Sequence, residues 1–278
     1  MPILRALQGS FSAVNVVANR KFAEVGADPA FALDDLDLAP FFVSKAELPR
    51  RWIEYFRRHD LILSYLHDPD GAFQLNVRAC GVRKFVVGPH RFAADVPATE
   101  QLARPLAPLG IPITDFRAKI NFSAIEQEAI HRQGGQALIA LHPGSGSPTK
   151  NWPIENWLWL IEDLLLDPMH RRVIVVGGEA DDEQIAQVRG RFADGVRYAI
   201  NWPLRRLAIL LSSAQFVGND SGISHLAAAA GARCLVLFGP TDPKVWVPQG
   251  DNVRLMIAPG KDLRQLTVAE VSRVLASS

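Results

Sequence analysis

Ala137-Leu-Ile-Ala-Leu141 runs directly into His142-Pro-Gly-Ser-Gly-Ser-Pro-Thr-Lys150-Asn-Trp-Pro153, and that passage decides the fold. Five apolar residues read as a buried strand, and Ile154 to Leu166 shows helical spacing. Gly144 and Gly146 permit turns, Ser145 and Ser147 add hydroxyl donors, and Lys150 supplies a point charge suited to a diphosphate. A second strand-loop-helix passage, Gly218-Asn-Asp220-Ser-Gly-Ile-Ser-His225-Leu-Ala-Ala, repeats the arrangement. In an open parallel sheet such loops lie at the carboxyl ends of the strands, where ligands bind. The pair predicts a site for a phosphorylated ligand.

Around these passages, apolar runs alternate with helical patterns, the rhythm of a parallel α/β fold. Predicted strands are Val14–Val17, Leu61–Tyr65, Lys84–Val87, Ala137–Leu141, Arg172–Val176, Gln215–Val217 and Cys234–Phe238. Predicted helices cover 45–58, 97–109 ending at Gly110, 154–166, 181–192, 204–212, 221–230 closed by Gly231, and 268–276. Ser123 with Glu126 fits a capping box, and Gly134-Gly135 would end that helix. Ile3, Leu4, Leu7 and Phe11 share one face of an N-terminal helix. The polar stretch 112–136 suggests two α/β lobes with a cleft between them, residues 1–120 and 121–278.

Composition narrows the function classes. The 278 residues are 48% hydrophobic and 21% charged, with net charge +1 and no long basic run, so there is no electrostatic case for nucleic acid. Cys80 and Cys234 fit no metal spacing and read as buried thiols of a reduced chain. No apolar run approaches the roughly 18 residues of a membrane span, and MPILRALQGSF lacks the long apolar core of a secretory signal. There is no GxSxG elbow, GxxxxGK[ST] loop or HExxH, and His67, His142 and His225 lack zinc spacing.

Within the second loop, Asp220 is expected to cap the helix starting at Ser221. The N–H groups of that first turn and the helix dipole favour an anion. Gly222 lets a ligand approach, and His225, one turn on, reaches the same place. Glu179, just beyond a strand, suits ribose hydroxyls or the start of a helix. Trp202 flanks a base or packs, and Thr241 and Asp242 follow the Cys234 strand. Asp68-Pro-Asp70-Gly71 reads as a turn, although His67, Asp68 and Asp70 are acceptor-side alternatives. Arg78, Arg83, Lys84, His90 and Arg91 suit an anionic ligand or a solvated surface.

LHPGSGSPTKNWP, VIVVGGEADD, VGNDSGISHLAAAAG and LFGPTDPKVWVP, in that order, resemble the ADP-heptose:lipopolysaccharide heptosyltransferases. These are inverting glycosyltransferases of family 9 with the GT-B fold, two Rossmann-like lobes. The first half is similar more loosely, through PILRALQGSF and HDLILSYL. The resemblance implies transfer of heptose from ADP-heptose to the lipopolysaccharide inner core by a cytoplasmic protein, peripheral at the inner face of the inner membrane. It implies a lipid-linked saccharide acceptor, and neither cofactor nor metal. Asp220 and Lys150 would take the catalytic part, and Ser145, Gly146, Ser147, Lys150, Asp220, Ser221, Gly222, His225 and Thr241 would bind the donor. Glu179 would hold the ribose and Trp202 would border the adenine.

Family members usually begin with a strand and a loop xxGDxxxxxP whose aspartate serves as general base. This sequence starts at about that proline, Met1-Pro2, so no residue is assigned as base. The expectation is a mis-set start codon or a truncated product, with the first strand of the N-terminal lobe missing. The alternatives are a non-catalytic nucleotide-binding homologue and a GT-B transferase using another nucleotide sugar.

Overall fold

The computed structural model describes residues 2–19, 22, 25, 30–133, 138–166 and 172–277. The chain divides into two compact units, Pro2–Phe116 and Arg117–Ser278.

In the first unit, α1 (Pro2–Gln8) precedes β1 (Val16–Ala18), which pairs in parallel with β2 (Ala30–Ala32). Then come α2 (Arg50–Arg57), β3 (Leu61–Ser64), α3 (Ala72–Ala79), β4 (Lys84–Val87) and α4 (Ala98–Ala103). β3 pairs with β4 in parallel, giving a second two-stranded ladder. The predicted helix at 45–58 is shorter because Pro49 disfavours helical backbone just before it. Trp52 and Phe56, four apart on α2, enter a core with Phe41, Phe73 and Val77. The predicted helix at 97–109 is α4 followed by a 3₁₀ turn, Arg104–Leu109, that contains Pro105 and Pro108. Asp68 accepts the Phe73 and Gln74 N–H groups at 3.1 and 2.9 Å, so its carboxylate caps α3.

The second unit starts with α5 (Ala124–Gln133); the predicted Gly134-Gly135 stop and Ala137 lie outside the described residues. It continues with β5 (Leu138–His142), α6 (Ile154–Leu166), β6 (Arg172–Gly177), α7 (Asp182–Arg191), β7 (Val196–Ile200), α8 (Leu204–Leu211) and β8 (Gln215–Asn219). α9 (Gly222–Ala230), β9 (Arg233–Phe238), α10 (Pro243–Trp246), β10 (Val253–Ile257) and α11 (Val268–Ala276) complete it. Six parallel strands stand in the order β10-β9-β8-β5-β6-β7. Both neighbours of β5 are parallel, so its apolar run is buried on both faces. From β5 the chain winds to one side through β6 and β7, then returns to β8 and winds the other way. β5 and β8 therefore flank the topological switch point, where open α/β sheets bind ligands.

The Ser123–Glu126 capping box forms, with Glu126 accepting Ser123 N–H at 2.7 Å and Ser123 Oγ accepting Glu126 N–H at 3.3 Å. Glu126 also receives Arg205 Nε and Nη2 at 2.7 Å each, which ties α5 to α8. The Arg205 hydrogen bonds hold the Glu126 carboxyl down to about 2, helped by Ser123 and opposed by burial. A lowered folded value stabilises the protein above the unfolded glutamate range and is lost as pH falls toward about 2. Glu126→Gln should therefore melt below wild type at neutral pH, with the gap closing between about pH 4 and pH 2. A gap independent of pH over that window contradicts this reading.

Candidate functional site

β5 ends at His142 and β8 at Asn219, on adjacent strands with His142 opposite Gly218. Asn219 is fully buried and joins the loops that follow. Its Oδ1 accepts Trp152 N–H at 3.1 Å, and its Nδ2 donates to Pro143 O at 2.9 Å and Gly144 O at 3.2 Å. Trp152, itself buried, donates its indole N–H to Leu266 O at 2.9 Å. The 142–153 loop is thus anchored at its start and at its end.

This anchoring brings Lys150 to the second loop. Lys150 Nζ donates to Asp220 O at 2.9 Å and lies 3.5 Å from Asp220 Oδ2. His225 belongs to the same group: burial lowers its pKa, as does the Lys150 charge, while Asp220 and a hydrogen bond with the Trp246 backbone act the other way. Lys150, Asp220 and His225, distant in sequence, therefore share one electrostatic environment.

Asp220 is not the helix cap predicted for it. Its N–H donates to Leu237 O at 3.2 Å, carrying the pairing with β9 one residue past the end of β8. Ser221 takes the cap, with φ −156° and ψ 165°, and its Oγ accepts Ser224 N–H at 3.3 Å. The helix consequently begins at Gly222, which is exposed at its N-terminal end. Gly231 closes it in the left-handed region at φ 100°, as the sequence suggests. Likewise Asp242 turns back to accept Lys244 N–H at 2.9 Å and caps α10.

The serines of the first loop are engaged within it. Ser145 Oγ lies 2.8 Å from Ser147 O and 2.6 Å from Asn151 Oδ1, and Ser147 Oγ lies 3.0 Å from Thr149 Oγ1. Gly146 sits at the loop tip with positive φ. Glu179 is exposed and opens the 3₁₀ turn Glu179–Asp181 after β6. Trp202 lies beyond β7 with the Arg206 guanidinium 3.8 Å from its ring centroid, which covers one face. Thr241 Oγ1 is buried with no hydrogen-bond partner among the described residues.

Sequence reasoning missed the buried polar residues beneath these loops. His142 Nε2 lies 3.2 Å from Asp181 Oδ2, and its Nδ1 lies 3.3 Å from Ser221 Oγ. Burial pushes the Asp181 carboxyl up, but the His142 hydrogen bond, with the Gly178 N–H, brings it below its ordinary value. Ser224 Oγ donates to Asn219 O at 2.5 Å. The available signal was a polar residue ending each apolar strand: His142 after Leu141, and Asn219 after Gly218. Among the described residues, no group of three or more His, Cys, Asp or Glu could hold a metal ion, and no helix is long and apolar enough to cross a membrane.

The family model for glycosyltransferase family 9 (heptosyltransferase) matches residues 85–269, well over half of the chain. The chain belongs to that family. Lipopolysaccharide heptosyltransferase 1 of Escherichia coli O18:K1:H7 is 34% identical over 145 residues, covering 51% of this chain and 43% of that protein. The alignment thus spans less than half of that curated relative. The solved E. coli ADP-heptose lipopolysaccharide heptosyltransferase II superposes with a TM-score of 0.77 at 17% identity, covering 99% of this chain and 92% of that one. An E. coli heptosyltransferase solved with ADP gives 0.70 at 20% identity, with 99% and 94% covered. At these identities the likeness is one of fold, the GT-B fold.

Proposed function

We propose that this protein transfers a heptose from ADP-heptose to the inner core of lipopolysaccharide, inverting the anomeric carbon. The observation that carries the reading is the meeting of Lys150 with Asp220 and His225 at the β5–β8 switch point. A departing nucleoside diphosphate develops negative charge, which a lysine ammonium and the first N–H groups of a helix are suited to stabilise. Lys150 would exchange its bonds to Asp220 for the diphosphate, and the N-terminal end of α9 at Gly222 would face the phosphates. Glu179 would accept ribose hydroxyls, the Trp202 ring would border the adenine, and Thr241 Oγ1 would gain a hydrogen-bond partner.

The unit from Arg117 onward would take the donor and the unit before it the acceptor, a lipid-linked saccharide met at the membrane surface by a peripheral cytoplasmic protein. Removal of the acceptor proton needs a general base. The Asp68 carboxylate caps α3, accepting the Phe73 and Gln74 N–H groups, and no residue is proposed as that base. Activity is expected to be insensitive to EDTA, with the lysine and the helix N–H groups supplying the charge stabilisation.

Calorimetry tests the proposal. ADP should bind the folded protein, with UDP and GDP weaker, and Lys150→Ala should weaken ADP by more than about tenfold, or about 1.4 kcal/mol. A folded protein that takes up no ADP refutes the reading.

A further inference from the structure

His142, 2% exposed, sits at the end of β5 beneath the two loops. It joins two loops. Asp181, 4% exposed, ends the turn after β6, and Ser221, 7% exposed, starts α9. The hydrogen bonds have a consistent direction. Asp181 Oδ2 accepts Gly178 N–H at 2.8 Å, so it is an acceptor, and His142 Nε2, 3.2 Å away, carries a proton toward it. Ser224 Oγ spends its own proton on Asn219 O at 2.5 Å, and Ser224 N–H points at Ser221 Oγ. The Ser221 hydroxyl then has two acceptors within reach, Ser224 Oγ at 3.2 Å and His142 Nδ1 at 3.3 Å, and the relay is the arrangement in which it donates to His142.

We infer that His142 and Asp181 are positioning residues for diphosphate binding: they hold the Ser221 hydroxyl as the cap of α9 and so aim the helix end beside Lys150. The side chain of Ser221 is thereby turned inward, leaving its backbone and that of Gly222 to face the ligand. The relay couples the turn that starts at Glu179 to the phosphate end of the site, so a change at Asp181 is felt at α9. A neutral imidazole suits this place because its rigid ring offers a donor on one side and an acceptor on the other. The inference rests on the nucleotide-diphosphate reading above.

The test uses the full chain and two kinds of measurement. Nitrogen-detected NMR of the ADP-free protein should show His142 with its Nε2 protonated; a proton held only on Nδ1 overturns the relay whether or not ADP binds. If the wild-type chain binds no ADP, the functional reading fails on its own and the NMR result still decides the relay. With ADP, His142→Gln and Asp181→Ala should each weaken binding by about tenfold while the melting transition stays cooperative. Asp181→Asn, which keeps an oxygen acceptor, should recover most of the loss. In a double-mutant cycle, His142→Gln should cost nothing further once Ser221→Ala is present. Wild-type affinity in His142→Gln, or additive losses in the cycle, overturns the inference. Should His142→Gln fail to fold, the Asp181→Ala and Asp181→Asn pair carries the same test, and equal affinity in those two overturns it.

Discussion

Trp152→Ala is expected to destabilise the second unit by about 3–5 kcal/mol, lowering the melting temperature by roughly 10 °C or more. Trp152 is 1% exposed and stands edge-on to the fully buried Trp157, with ring centroids 5.2 Å apart at 80°. Truncation opens a cavity in the core against α6 and also removes the indole N–H donated to Leu266, just ahead of the Thr267 cap of α11. One side chain thus fastens the end of the 142–153 loop to the C-terminal segment. The matched control is Trp159→Ala on the outer face of α6, 56% exposed, which should shift stability by less than about 0.5 kcal/mol. Chemical denaturation of the two variants distinguishes them, and equal midpoints contradict the assignment.

Gly144→Ala should be nearly as damaging for the opposite reason. A Cβ there overlaps Asp181 Oδ1, and the buried carboxylate is held in place because its Oδ2 takes both the Gly178 N–H and His142 Nε2. Overpacking costs about 1–3 kcal/mol, and leaving His142 and Gly178 N–H without their acceptor adds a similar amount. The melting temperature should fall by about 5–15 °C and ADP binding should weaken in what remains folded. A variant that melts with wild type places the Asp181 carboxylate elsewhere.

Much of the second unit was legible because its strands are long apolar runs with glycine at their ends. β5, β6, β8 and β9 follow from composition alone, as do α6, the Ser123–Glu126 box and the Gly231 stop. β7 was missed because Arg197 and Tyr198 interrupt it; only Val196 and Ala199 are buried there. β10 was missed because, as an edge strand, it leaves Leu255 and Ile257 exposed and carries Arg254. α3, the short β2 pairing and the shift of the α9 cap from Asp220 to Ser221 depend on backbone partners that local propensity does not encode. Asp and Ser cap equally well, and the ladder to Leu237 decides between them.

The candidate site was legible as residue types and not as a network. Lys150, Asp220 and His225 stood out because they punctuate glycine-rich loops, and the structure gathers them. His142, Asp181 and Asn219 have no fixed spacing, since what relates them is the strand order, which brings residues 142 and 219 side by side.

The Asn219 amide has a consequence for ligand encounter. Its three buried hydrogen bonds clamp Pro143, Gly144 and Trp152 to the end of β8, so the two phosphate-side loops behave as one rigid body. Ordering a free glycine-rich loop costs about 1–2 kcal/mol per residue, which a ligand would otherwise have to supply from its own contacts. Here that entropy is lost once, when the chain folds. On the proposed reading the site would meet its ligand preorganised, and the local adjustment left to binding would be the release of the Lys150 ammonium from Asp220.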